Sequence, residues 1–238
     1  MLELKEINTY RGPAHVLHGV SLTVNEREVV CLVGRNGAGK TTTVESIMGL
    51  LPVRSGSIVF RGTDISRLPA HERAKLGIGY APEDCGIFPD LTVAENLLIS
   101  RQLAGASRRR AASSGEETEE RIFALFPKVR ELVRRRGLYL SGGEKKMVAI
   151  ARAMTLSPFI LLLDEAFEGL APMIVNRFIE AVTTIKQMGI SVLLAESNLM
   201  TASRIADRLY VIDRGEIIFE GGPKQALEDE EVMRTIRG

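Results

Sequence analysis

The chain reads as an α/β protein with a mostly parallel central sheet, an antiparallel β-layer at its N-terminus and an inserted helical segment. Two observations carry this. Short continuous apolar runs, Val29–Val33 and Phe159–Leu163 among them, have the pattern of strands covered on both faces, and they alternate with helix-length segments. The opening of the chain instead alternates apolar with polar residues, as a half-exposed antiparallel strand does. With 238 residues the chain fits one large domain, residues 1–238, carrying a subdomain.

Taken in order, Leu2 to Ile7 and Val16 to Val24 alternate and are separated by Arg11-Gly12-Pro13, which predicts two antiparallel strands joined at a turn. Val29–Val33 follows as a buried strand, then a glycine-rich turn and a helix from about Lys40 to Met48. Ser57 to Phe60 and Gly77 to Tyr80 read as short strands. Residues from about 91 to 156 are helical and rich in charge, and they interrupt the strand–helix alternation, which marks the insertion. Inside it, Arg108-Arg109-Arg110 and the acidic run from Glu116 to Glu120 read as a solvated loop entering a helix with acidic residues in its first turn. Phe159 to Leu163, Ile190 to Ala195 and Asp207 to Ile212 are further strands, with a helix from Ala171 to Lys186 between the first two. Gly215 turns the chain into a last strand, Glu216 to Phe219.

The formal net charge of +1 argues against a nucleic-acid coat, so no nucleic-acid partner is expected. Cys31 and Cys85 are far apart, form no paired metal or redox motif and read as buried small apolar residues. No apolar run approaches the ~20 residues needed to span a bilayer. The N-terminus lacks the apolar core of a signal peptide, so a cytosolic chain is expected, with any membrane role supplied by a partner.

Gly34-Arg35-Asn36-Gly37-Ala38-Gly39-Lys40-Thr41 matches the phosphate-loop pattern without a gap, between a buried strand and a helix. Its glycines let successive backbone N–H groups point at one anion, and the helix N-terminus adds the positive end of its dipole. Lys40 supplies a point charge to the β- and γ-phosphates, Thr41 places a hydroxyl on Mg²⁺, and Thr42 is a further phosphate contact. The core is therefore expected to be that of a P-loop NTPase, a class that includes kinases, GTPases, helicases and transporter motors, binding a nucleotide with Mg²⁺. Leu161-Leu162-Leu163-Asp164-Glu165 ends a buried strand in two carboxylates, at the sheet edge where ligands of parallel sheets collect. Asp164 is suited to hold Mg²⁺ through its water shell, and Glu165 to orient an attacking water and accept its proton.

Leu140-Ser141-Gly142-Gly143-Glu144, lying between these two motifs, resembles the signature segment of ATP-binding-cassette proteins, with Glu144 where glutamine is usual. Ser141 would cap a helix whose first N–H groups face an anion. Gly77 to Asp84, Ile87 to Val93, Asn8-Thr9-Tyr10, Gly34-Arg35-Asn36-Gly37 and Glu168 to Pro172 resemble the ATPase subunits of branched-chain amino acid importers, a likeness shared with urea and short-amide importers. The resemblance covers Leu2 to about Gly222. It implies an ATPase peripheral to the cytoplasmic face of the cell membrane. It implies a head-to-tail dimer, with an identical or a related second ATPase, in which Ser141, Gly142, Gly143 and Glu144 of one subunit cover the ATP of the other. It implies transmembrane permease partners touching the helical segment, an extracytoplasmic solute-binding protein acting indirectly, and Tyr10 stacked on adenine.

Four further positions depart from the general cassette pattern. Glu83 stands for the usual glutamine that reaches the metal, Ala166 for a proline, Ala171 for an aspartate of the loop crossing the dimer, and Ser197 for the switch histidine. The three histidines, His15, His18 and His71, are all far upstream of that position. Soluble cassette ATPases of DNA repair or translation carry long coiled coils or two cassettes, which this chain lacks. A nucleotide sensor that does not turn over is the remaining alternative of another class, kept open by Ser197. Ile87, Phe88 and Pro89, apolar in a loop between Asp84 and Asp90, are the expected permease contact.

Overall fold

The computed structural model describes residues 1–105 and 115–237. The basic triplet Arg108–Arg110 therefore lies outside the described residues. The elements are β1 (Leu2–Arg11), β2 (Ala14–Val24), β3 (Val29–Val33), α1 (Lys40–Met48), β4 (Val53–Phe60), β5 (Thr63–Asp64), α2 (Ala70–Leu76) and β6 (Ile78–Ala81). Then come α3 (Val93–Gly105), α4 (Gly115–Leu125), α5 (Pro127–Glu131), a 3₁₀ turn at Gly137–Tyr139, α6 (Gly142–Met154), β7 (Ile160–Asp164) and α7 (Pro172–Gln187). The chain closes with β8 (Ser191–Glu196), α8 (Leu199–Ser203), β9 (Arg208–Asp213), β10 (Glu216–Gly221), α9 (Pro223–Glu228) and α10 (Glu230–Arg237).

Two sheets form. One is antiparallel, in the order β2-β1-β4-β5. The other has six strands in the order β10-β9-β3-β8-β7-β6; it is parallel throughout except for the β9–β10 hairpin. Alternate residues of a strand point to opposite faces, and β3 shows the consequence. Val30 and Leu32 enter a core shared with the antiparallel sheet and α1, while Val29, Cys31 and Val33 enter a core shared with α6, α7 and α8. Being covered on both faces is why β3, β7 and β8 are continuous apolar runs. Both cysteines are buried with free thiols, and burial pushes both thiols above their ordinary range. Of the described helices, none is long and apolar enough to cross a membrane.

The strands β3, β7 and β8 place their carboxyl ends side by side. The pairing Val33 with Glu196 and Asp164 with Ala195 fixes the register, so the phosphate loop, Asp164-Glu165 and Glu196-Ser197 all emerge at one edge. The C-terminus of α1 is fastened by a residue distant in sequence. The guanidinium of Arg73 in α2, 2% exposed, donates to the carbonyls of Ser46 and Ile47 at 2.8 Å, and also to Leu68 and Ser66. Orphan carbonyls at a helix end need such donors.

A candidate nucleotide site at the strand ends

The loop Gly34–Gly39 links β3 to α1. Gly39 has φ +116°, and a Cβ there would lie 2.9 Å from the Leu17 side chain, so only glycine fits the entry to α1. At Gly34 a Cβ would lie 2.4 Å from the Ile212 carbonyl oxygen, which lets the loop pass close to β9. Lys40, 4% exposed, folds back beneath this loop. Its Nζ donates to the carbonyls of Gly34 at 2.9 Å and Arg35 at 3.2 Å, and lies 2.9 Å from Glu165 Oε1.

The carboxylates meet the loop from β7. The Thr41 hydroxyl donates to Asp164 Oδ1 at 3.2 Å. Asp164 Oδ2 and Glu165 Oε2 are buried without a hydrogen-bond partner. Burial pushes the Asp164 carboxyl up to about 6, against the Thr41 hydrogen bond, and the charges of Glu165 and Glu83 add to the rise. Glu165 has φ +49°, a left-handed conformation that non-glycine residues seldom adopt and that clusters at functional sites. Two bare buried oxygens beside a lysine and a hydroxyl are expensive unless a cation or a hydrogen-bond donor meets them. The donor set is hard oxygen, as Mg²⁺ requires. Among the described residues no three His, Cys, Asp or Glu side chains converge as a metal cluster. A cation here would draw most of its oxygens from phosphate and water.

Of the residues singled out in sequence, Lys40, Thr41, Asp164 and Glu165 are in direct contact, and Glu83 lies close enough to bias Asp164. Ser197 follows β8 at the same edge and is half-buried. Thr42 is buried and accepts from Arg11 Nε at 3.1 Å, while the Arg11 guanidinium also pairs with Glu45. Tyr10, one residue before Arg11, stacks on His15 with ring centroids 4.3 Å apart and planes 2° apart. The segment from Ser141 to Glu144 stands apart, at the start of α6. There the Glu144 carboxylate accepts from the Ser141 N–H at 2.8 Å and hydroxyl at 2.9 Å in a capping box, which holds Glu144 below its ordinary range.

Three residues were missed in sequence. Arg11 had no motif to mark it. Glu196, 1% exposed, accepts from the Phe167 N–H at 3.0 Å; burial pushes its carboxyl up to about 8. The Nζ of Lys146 donates to the carbonyls of Glu165 and, at 2.8 Å, Glu168. An acidic residue ending an apolar strand was the available signal for Glu196. Nothing in the sequence marks Lys146, because its partners are main-chain oxygens.

Comparison with known proteins agrees with this geometry. The family model for ABC transporters matches residues 17–168. The lipopolysaccharide export system ATP-binding protein LptB of Haemophilus influenzae is 40% identical over 228 residues, 94% of this chain and 91% of LptB. The high-affinity branched-chain amino acid transport ATP-binding protein BraG of Pseudomonas aeruginosa is 35% identical over 238 residues, the whole of both chains. The ADP conformation of MJ1267, an ATP-binding cassette of an ABC transporter, superposes with a TM-score of 0.85 at 30% identity, covering 100% of this chain and 98% of MJ1267. The phosphate loop, the buried carboxylates and the shared fold have one explanation: the chain belongs to the ABC transporter family, as an ATP-binding subunit with the cassette fold of a P-loop ATPase, and it hydrolyses ATP.

Proposed function

We propose that this chain energises a membrane importer of branched-chain or related amino acids. The ATPase half of the reading is carried by the buried contact set of Lys40, Thr41, Asp164 and Glu165. The import half is supported by the end-to-end match to BraG together with the segments around Tyr10, Gly77–Asp84 and Glu168–Pro172. A urea or short-amide importer shares those segments. Export is the second reading, favoured by the higher identity to LptB.

In this proposal the loop from Gly34 to Gly39 wraps the phosphates, with Arg35, Asn36, Gly37 and Ala38 offering backbone N–H groups. Lys40 and Thr42 bind phosphate oxygens, and Tyr10 stacks on the base. Thr41 and Asp164, with Glu83 nearby, are the residues that would hold Mg²⁺, which when bound supplies neutralising charge. Glu165 orients the attacking water and takes its proton. Ser197 acts on the γ-phosphate through water, since its side chain is shorter than an imidazole. Ser141, Gly142, Gly143 and Glu144 cover the nucleotide of a second ATPase subunit, identical or related. Residues 1–238 act as one cassette, and the helical segment from about 91 to 156 faces the transmembrane permeases, with the chain peripheral at the cytoplasmic side. The solute-binding protein is reached only through the permeases.

The test is deletion of the gene in its host, with complementation by the wild-type chain and by Lys40→Ala. Uptake of radiolabelled leucine should fall, return with the wild type and stay low with Lys40→Ala. Normal leucine uptake combined with a defect in envelope lipid would favour the export reading instead.

A further inference from the structure

We propose that Lys146 is a positioning residue for Glu165, holding the backbone of that residue from the signature helix. The proposal rests on the reading of Glu165 as the carboxylate that orients water. Lys146 lies in α6, five positions beyond the capping Ser141, and is half-buried. Its ammonium has no carboxylate partner among the described ion pairs. It donates instead to the main-chain carbonyls of Glu165 and Glu168. A surface lysine normally keeps its ammonium in water; this one spends it on the turn that carries Glu165.

That turn needs holding. Glu165 sits at φ +49° without the freedom of glycine. Its N–H donates to the Ala195 carbonyl at 2.9 Å, the Glu168 N–H reaches back to the Glu165 carbonyl at 3.3 Å, and the Phe167 N–H donates to Glu196. These bonds anchor the turn to β8 and to itself. Lys146 ties it to α6. Losing the ammonium leaves the Glu165 carbonyl with one long bond and lets the φ, ψ pair relax toward commoner values, which swings the side chain away from Lys40. A displacement at this distance from the chemistry is costly because the reacting groups must be aligned.

The experiment is ATP hydrolysis and ATP affinity of the full-length chain carrying Lys146→Met, which keeps the aliphatic stem and removes the donor. The expected result is a tenfold or greater fall in kcat with ATP Kd within twofold of wild type, and recovery of most of the activity in Lys146→Arg. The same Lys146→Met change is then made in a Glu165→Gln background and read by single-turnover hydrolysis, where it should cost less than twofold, because there is no carboxylate left to aim. A merely structural lysine would cost the same factor in both backgrounds, and that result overturns the proposal, as does a kcat within twofold of wild type or a Kd that weakens in step with kcat. Should the methionine variant fail to fold, Lys146→Gln, which keeps a donor but loses charge and reach, supports the same comparison. Wild-type turnover in Glu165→Gln alone would instead overturn the role of Glu165 itself, and the positioning role with it.

Discussion

Lys40 and Glu165 form an ion pair that is almost wholly buried, 4% exposed on each side. Buried charges are tolerated only when paired, and removing one partner leaves the other uncompensated. In the proposed site phosphate oxygens compete with Glu165 for the Lys40 ammonium, so Glu165→Gln is expected to act in two directions. Turnover should fall by ~10² or more, since the carboxylate proposed to orient water is gone. ATP binding should tighten severalfold, because the ammonium no longer has an internal rival. Titration with a fluorescent ATP analogue beside a steady-state assay checks both, and weaker binding in the variant would count against the competition. Ser197→Ala provides the contrast: it removes at most one weak bond of ~1 kcal/mol, so turnover should stay within about tenfold. Glu196 gives a pH prediction. Burial raises its carboxyl from an ordinary value of 4.5 to about 8, so between those values the native state holds a proton that the unfolded chain releases. Stability is then complete at low pH and declines as pH rises through this window. Glu196→Gln keeps an oxygen for the Phe167 N–H and should flatten the decline, making the variant more stable than wild type near pH 8. Thermal melts from pH 5 to 8.5 measure the slope; an unchanged slope would assign it to another group.

At the scale of elements, α2 shows what sequence patterning can and cannot deliver. Its seven residues, Ala70–Leu76, offer no apolar stripe, and it was not anticipated. It forms where Arg73 reaches the carbonyl end of α1, a partner more than twenty residues away. The short helices α8 and α9 escaped for a related reason, neither being long enough to show a period, whereas α10 does carry an apolar stripe, Val232, Met233 and Ile236, that was passed over. By contrast Val29–Val33 was legible to the residue, because a strand covered on both faces writes itself as an unbroken apolar run. The site divides in the same way. Lys40 and Thr41 were marked by the phosphate-loop pattern, and Asp164 and Glu165 by two carboxylates ending a buried apolar strand; the fold brings the four into contact. Arg11, Lys146 and Glu196 were not, because each meets a group that only the fold brings near. The α2–α1 contact is itself testable. Arg73→Met strips four carbonyls of a buried donor, and should cost about 3 kcal/mol or more. Urea unfolding would register that loss, whereas a change below ~1 kcal/mol would mean that water replaces the guanidinium.

On the scale of the whole molecule, two surfaces await partners in the proposed assembly. The first is the loop at Phe88. The ring is 46% exposed, yet its backbone is clamped by the buried Asn96, whose Oδ1 accepts from the Phe88 N–H at 2.9 Å and whose Nδ2 donates to the Phe88 carbonyl at 3.1 Å. Ile87 beside it packs partly onto the core, so the apolar trio divides between inward and outward roles. The Arg152 guanidinium lies over the ring, 5.7 Å from its centroid. In the proposed assembly the ring's open side meets a permease, so Phe88→Ala should weaken co-purification with the permeases while ATP binding is kept, and unchanged co-purification would count against this surface. The second surface is the start of α6. Ser141 and Gly142 are exposed there, and no contact links them to Lys40 or Thr41 of the same chain. A helix N-terminus of this kind suits an anion, and in the proposed assembly the phosphate loop of the same chain engages its own nucleotide. ATP bridging two chains satisfies both halves, each contributing the group the other lacks. ATP, rather than protein concentration alone, should therefore drive tight dimerisation. In Glu165→Gln the pair should persist, because slowed hydrolysis keeps the bridging nucleotide intact. Light scattering of that variant should give a dimer mass with ATP and Mg²⁺ and a monomer mass with ADP. A monomer that persists with ATP at high concentration, also when the related second ATPase is supplied, would show that the signature segment does not close on a neighbour's nucleotide.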